Sequence, residues 1–289
     1  MVKMILDTDI GSDIDDALCL AYLLKQKNCD LLGITTVSGE THKRAMIASS
    51  ICKKAGRDDI PIFPGLNFSM SEEEHRQPIA NHAVKLADYP HETEFAKDQA
   101  IDFLRKTIKA NPHEITLLAI GPLTNIAVLL ASDPEIAGDI KELVIMGGAF
   151  DHMADKTEWN ILCDPYAAAM VFHAGIPIKC IGLNVTTQIQ MDSGEFHAAA
   201  KADVLQPVLG YADVWLSHAD KITYHDPLAA ATIFDDAICK FERGVVTVEI
   251  DGKKGLTYFQ PQPDGKHFMA STVDKAKFLE EYFGTLDAE

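Results

Sequence analysis

Apolar residues along this chain alternate between short unbroken runs and stretches with a three-to-four-residue period. The run VKMIL at residues 2–6 predicts a strand. DDALCLAYLLKQKN, with acidic residues in its first turn, predicts a helix. DLLGITTVSG then reads as a strand ending at Gly39, THKRAMIASSICKKAG as an amphipathic helix closed by Gly56, and IPIFPG as a third short strand. Residues 66–93 lack a clear period and predict a long loop with some helix.

Regular alternation resumes with the helix KDQAIDFLRKTIKANP, the strand EITLLAIG, the helix PLTNIAVLLASDP and the strand IKELVIMGG. A loop at 150–163 leads to the helix DPYAAAMVFHAG, with Asp164 as its cap and Pro165 at its first position, and then to the strand IPIKCIGLN. Residues 192–218 read as largely helical, and HDPLAAATIF repeats the Asp-Pro helix start. GVVTVEI, GLTYFQ and KHFMAST predict an antiparallel hairpin region before a final helix, VDKAKFLEEYFGTL. This alternation implies an α/β fold, an open, mostly parallel twisted sheet with helices on both faces. No internal repeat or linker interrupts it, so a single domain over residues 1–289 is expected.

Composition narrows the partners. A net charge of −17 argues against nucleic acid or an anionic membrane and makes a cation site easier to build. No apolar run reaches the ~18 residues of a membrane span, and the chain enters a strand pattern at once rather than a signal peptide. Six cysteines are scattered without metal-ligand spacing, which predicts reduced thiols in a cytoplasmic protein.

The unusual polar residues follow the predicted strands, where ligands gather in doubly wound sheets. DTDIGSDIDD packs Asp7, Asp9, Asp13, Asp15 and Asp16 behind the first strand. Helix capping accounts for one or two of them, and a hard divalent cation accounts for more. An EF-hand is excluded, because counting from Asp7 the glycine is fifth and Leu18 stands at the twelfth position. A strand followed by Asp-x-Asp also fits the haloacid dehalogenase-type phosphatases, with Asp7 as nucleophile and Mg²⁺ between the aspartates. Gly11 stands where those enzymes place threonine or valine, which makes this the minor alternative. His225, before Asp226-Pro227, puts a titratable ring at a helix start.

Taken in order, ILDTDIGSDIDDALCL, GITTVSG, LLAIGPLTNIA, KELVIMGGAF, EWN and HDPLAAA resemble the inosine-uridine preferring nucleoside hydrolase family over nearly the whole chain. The resemblance implies a homodimer or homotetramer binding one Ca²⁺ per subunit and hydrolysing the N-glycosidic bond of ribonucleosides. It implies Asp9, Asp16, Asp226 and the backbone carbonyl of Thr124 as Ca²⁺ ligands, with Asp9 also the base for the attacking water. Asp15, Glu158 and Asn160 would hold the ribose hydroxyls, Met146 would pack near the sugar, and His225 would donate to the leaving base. Asp7 would order its own loop. Three departures stand out: a lengthened opening motif that adds Asp13, Glu40 where the family often has asparagine, and a shorter loop before EWN, where Asp151 or His152 occupies the space. His82 in NHAV is the nearest counterpart to a family histidine, and Glu40 and His82 are carried as substrate-binding candidates. A non-catalytic nucleoside binder on the same scaffold is the alternative of a different class.

Overall fold

The computed structural model describes residues 1–71 and 79–288. Strands β1 (Val2–Thr8), β2 (Cys29–Thr36), β3 (Ile62–Pro64), β4 (Thr116–Ala119), β5 (Glu142–Met146) and β6 (Ile178–Ile181) lie parallel, in the order β3-β2-β1-β4-β5-β6. A separate two-stranded antiparallel ladder joins β7 (Gln190–Asp192) and β8 (Lys221–Thr223). Strands β9 (Cys239–Val248), β10 (Thr257–Pro261) and β11 (His267–Val273) complete the large sheet. β11 pairs parallel to β6, and β9 and β10 add antiparallel at that edge. The expected late hairpin therefore extends the main sheet.

Helices α1 (Asp15–Lys25) and α2 (Thr41–Lys54) follow the first two strands, then α3 (Ala100–Ala110) and α4 (Thr124–Ser132). Further along lie α5 (Trp159–Cys163), α6 (Pro165–His173), α7 (Leu183–Thr186), α8 (Ser193–Ala199), α9 (Gln206–Leu216), α10 (His225–Phe234) and α11 (Lys275–Asp287). Within β1 the apolar run is continuous because both faces are covered. Met4 and Leu6 join one core with α1 and α10, while Ile5 joins the other with α3 and α4. β5 splits the same way, with Val144 and Met146 on the first side and Leu143 and Ile145 on the second.

Two local features differ from the sequence reading. The loop at 150–163 contains α5, whose five residues are too few for a helical period to register. β7 and β8 have three residues each, below the length at which alternation is readable. The helix expected within 66–93 is a 3-10 helix at Asn81–Asp88, and part of that stretch (72–78) lies outside the described residues.

All six cysteines are free, and burial pushes Cys29, Cys52 and Cys239 up to about 12, which leaves them protonated and unreactive near neutral pH. Among the described residues no helix is long and apolar enough to cross a membrane. The chain winds outward from β1 to β3 and then returns to β4 on the other side of β1. The loops after β1 and β4 thus diverge at a topological switch point, where an α/β sheet opens a crevice.

Candidate active site

A cavity of about 520 Å³ opens at that crevice, large enough for a nucleoside. Its wall includes Asp9 after β1, Ile120 after β4, Met146 at the end of β5 and Leu183 after β6. Asp13, Asp15, Asp16, Glu158, Asn160, His225 and Asp226 also line it, while no lysine or arginine does among the described residues.

Asp15, Asp16 and Asp226 bring ligand oxygens within 4.8 Å of one another. Two helix starts bring them together: Asp15 and Asp16 open α1, and Asp226 lies in the first turn of α10. Both N-terminal dipoles favour negative charge there. The backbone N–H of Asp226 donates to Asp15 Oδ2 at 3.2 Å, which ties the two helices directly. Thr8 turns Asp16 by donating its hydroxyl to Oδ1, and that same hydroxyl accepts from the Ile10 N–H at 3.1 Å. Burial, reinforced by neighbouring carboxylates, raises Asp15, Asp16 and Asp226 well above the usual carboxylate range. Burial also raises Asp9, against an opposing pull from Arg44, and pushes Asp13 to about 6. Clustered buried carboxylates stay ionised only with a counter-charge. Hard oxygens at this spacing suit a divalent cation such as Ca²⁺ or Mg²⁺.

Asp9 also imposes a constraint on β4's exit. A Cβ built on Gly121 would lie 2.9 Å from Asp9 N and 3.0 Å from its Oδ1. Gly121→Ala is therefore expected to displace Asp9 and lower kcat/KM by about 100-fold while the chain stays folded. Steady-state kinetics together with circular dichroism check this, and unaltered kinetics in a folded variant would contradict it.

Glu158 caps α5. Its carboxylate accepts from Asn160 N at 2.8 Å, Ile161 N at 3.0 Å and Gly148 N at 3.2 Å, yet burial still pushes it to about 7. Asn160 Nδ2 donates to the carbonyls of Ile120 (2.9 Å) and Met146 (3.2 Å), bridging the ends of β4 and β5. Glu158 and Asn160 thus reach one cavity through a helix start rather than an extended loop. His225 Nδ1 lies 2.7 Å from Thr186 Oγ1, and burial lowers the ring to about 4, so it is neutral at pH 7.

Three expected roles, those of Thr124, Glu40 and His82, meet a different placement. Thr124 is buried at the start of α4, donates to Asp164 Oδ2 at 2.7 Å and does not line the cavity; Ile120, four positions earlier, does. The Pro-Leu turn that starts α4 carries Thr124 away from the crevice. Glu40 pairs with Lys43 and accepts from Ala80 N at 3.1 Å, and does not itself line the cavity. His82 is fully buried, stacks on Tyr211 at 5.8 Å and is absent from the cavity wall, where its neighbour Asn81 stands. Asp7 is buried beneath the site, with Oδ1 accepting from Thr35 Oγ1 and from Asn125 Nδ2 (2.7 Å), so it offers no nucleophile to a phosphate ester. Of the two residues considered for the shortened loop, Asp151 accepts from Asn184 Nδ2 at 3.3 Å, and neither it nor His152 lines the cavity.

Sequence reasoning left out Ser12, Asn81, Thr157, Trp215 and His218, which line the cavity; Trp159, read from the sequence as an aromatic for the base to stack on, does line it. Trp215 and His218 meet edge to face at 5.2 Å. They sit at the end of α9 and just beyond it, where no motif singles them out.

The sequence profile of the inosine-uridine preferring nucleoside hydrolase family matches residues 4–280. The chain belongs to that family. A probable uridine nucleosidase of Arabidopsis thaliana is 30% identical over 282 residues, spanning 88% of this chain and 84% of that protein. Among solved structures, a plant nucleoside hydrolase (PpNRh1) superposes with a TM-score of 0.84 at 28% identity, covering 100% of this chain and 99% of that one. A purine-preferring ribonucleoside hydrolase from Gardnerella vaginalis gives 0.83 at 27% identity, covering 98% of each. In this nucleoside hydrolase the acidic crevice at the switch point sits on the family's α/β fold.

Proposed function

We propose that this chain, folded as a single domain and assembling as a homodimer or homotetramer, is a Ca²⁺-dependent ribonucleoside hydrolase releasing free base and ribose. The observation that carries this reading is the Asp15–Asp16–Asp226 triad on the wall of a nucleoside-sized cavity. Asp16, Asp226 and Asp9, with the Ile120 carbonyl in place of that of Thr124, would hold the ion, and Asp15 faces both the ion and the sugar. Bound Ca²⁺ supplies Lewis acidity and a clamp for the ribose hydroxyls.

Cleavage of the glycosidic bond builds positive charge on C1′ and the ring oxygen. The carboxylates of Asp9, Asp15 and Glu158 stabilise that charge from fixed positions. Asp9 takes a proton from the attacking water, whose oxygen bonds to C1′ as the C1′–N bond breaks. The base leaves with the bond's electron pair, and a proton on its nitrogen completes the balance. His225, neutral and oriented by Thr186, donates a hydrogen bond to the departing base. Asn160 and Met146 position the sugar.

The absence of lysine and arginine from the described cavity wall predicts discrimination against phosphorylated substrates. Nucleoside 5′-monophosphates should show kcat/KM at least about 100-fold below the matching nucleosides, since a phosphate would face several carboxylates. Equal turnover of both would contradict the assignment. A panel of uridine, cytidine, inosine, adenosine, guanosine and nicotinate riboside, assayed for free base with and without Ca²⁺, tests the function itself. Base release that depends on the cation supports it. A nucleoside that stays intact during long incubation supports instead a binding protein.

A further inference from the structure

Arg44, on α2, is the one lysine or arginine that is buried among the described residues. Its guanidinium does not line the cavity, yet it grips the acidic loop from outside. Nη1 donates to the Asp9 carbonyl and to the Ile10 carbonyl at 3.0 Å, and Nε donates to the Ser38 carbonyl at 2.6 Å. One side chain therefore fastens the loop after β1 to the turn after β2.

That turn needs fastening. Ser38 and Gly39 both have φ of 70°, and a serine in the left-handed region is uncommon. Asp9 needs it as well, since its backbone N lies close against Gly121 and its carboxylate lines the same cavity as Asp16 and Asp226. A buried charge persists only when its donors are satisfied, and a planar guanidinium meets several carbonyls in a fixed fork. A lysine ammonium carries the same charge without that geometry.

We propose that Arg44 is a positioning residue for the cation site, holding the Asp9–Ile10 backbone so that the Asp9 carboxylate stays aimed at the cavity. The proposal rests on the reading of that cavity as a Ca²⁺-dependent hydrolase site. Arg44 touches neither substrate nor ion and acts through Asp9.

The test uses the full chain. Calorimetric titration with Ca²⁺ should show Arg44→Lys and Arg44→Gln binding at least fivefold more weakly than wild type, with circular dichroism confirming the fold. At saturating Ca²⁺, kcat should fall at least fivefold while KM for the nucleoside changes less than kcat. Calcium affinity within fivefold of wild type in either folded variant overturns the assignment. Should neither variant fold, the Nε–H resonance of Arg44 in ¹⁵N-labelled wild-type protein decides. A shift in step with Ca²⁺ loading supports the proposal, and an unmoved resonance at saturation overturns it. Failure of wild type to bind Ca²⁺ would remove the cation reading together with this inference, a result distinct from equal binding by wild type and variants.

Discussion

Asp9→Ala is expected to lower kcat by about 10⁴-fold, the upper range for loss of a general base. The carboxylate is buried and lines the cavity with Asp13, Asp16, Asp226 and Glu158, and a smaller side chain leaves nothing at its position to accept the water's proton. KM should change far less than kcat, because the group acts mainly on the transition state. In metal-stripped buffer the melting temperature should hold or rise, since the substitution removes one of several mutually repelling buried carboxyls. Steady-state base release alongside thermal denaturation measures both. A variant retaining kcat within about tenfold of wild type would remove Asp9 from the chemistry.

Exhaustive chelation is the second large effect. Turnover should fall to background, and added Ca²⁺ should restore it fully. The folded chain should also lose stability, because an ion bound only by the native state stabilises it by about 4 kcal/mol at a thousandfold excess over Kd. The readouts are base release and melting temperature across a Ca²⁺ series in metal-stripped buffer. Full activity in the chelated protein would exclude the cation from the reaction.

Much of the fold was legible because each strand is a continuous apolar run between helices with one polar face. Strand-to-helix order then forces the parallel sheet and its crevice. The aspartates of the first loop and the His225–Asp226 pair were legible because carboxylates beside apolar strands need a reason. Thr124 was misplaced because a motif gives residue order, whereas the turn that starts α4 decides which carbonyl faces the crevice. Glu40 and His82 were misplaced because their partners, Lys43, Ala80 and Tyr211, are set by packing between segments far apart in sequence. Trp215, on α9, and His218, just beyond it, lie in a stretch read as helical but carry no motif signal, and only the packing of α9 brings them to the cavity wall. Asp13, which adds to the acidic loop, turns out to line the cavity while accepting from the Ile14 N–H at 2.6 Å.

The hydrogen bond between Asp15 and the Asp226 backbone spans 211 positions of sequence. A growing chain holds Asp15 and Asp16 almost from its first turn of helix, but it completes the triad only once α10 has formed and docked. Closing so long a loop costs chain entropy that no local contact repays. An ion held at the triad would bind only the assembled fold and so would stabilise it against unfolding. Ion loading would thus report that both ends of the molecule have come together, a checkpoint for a finished fold.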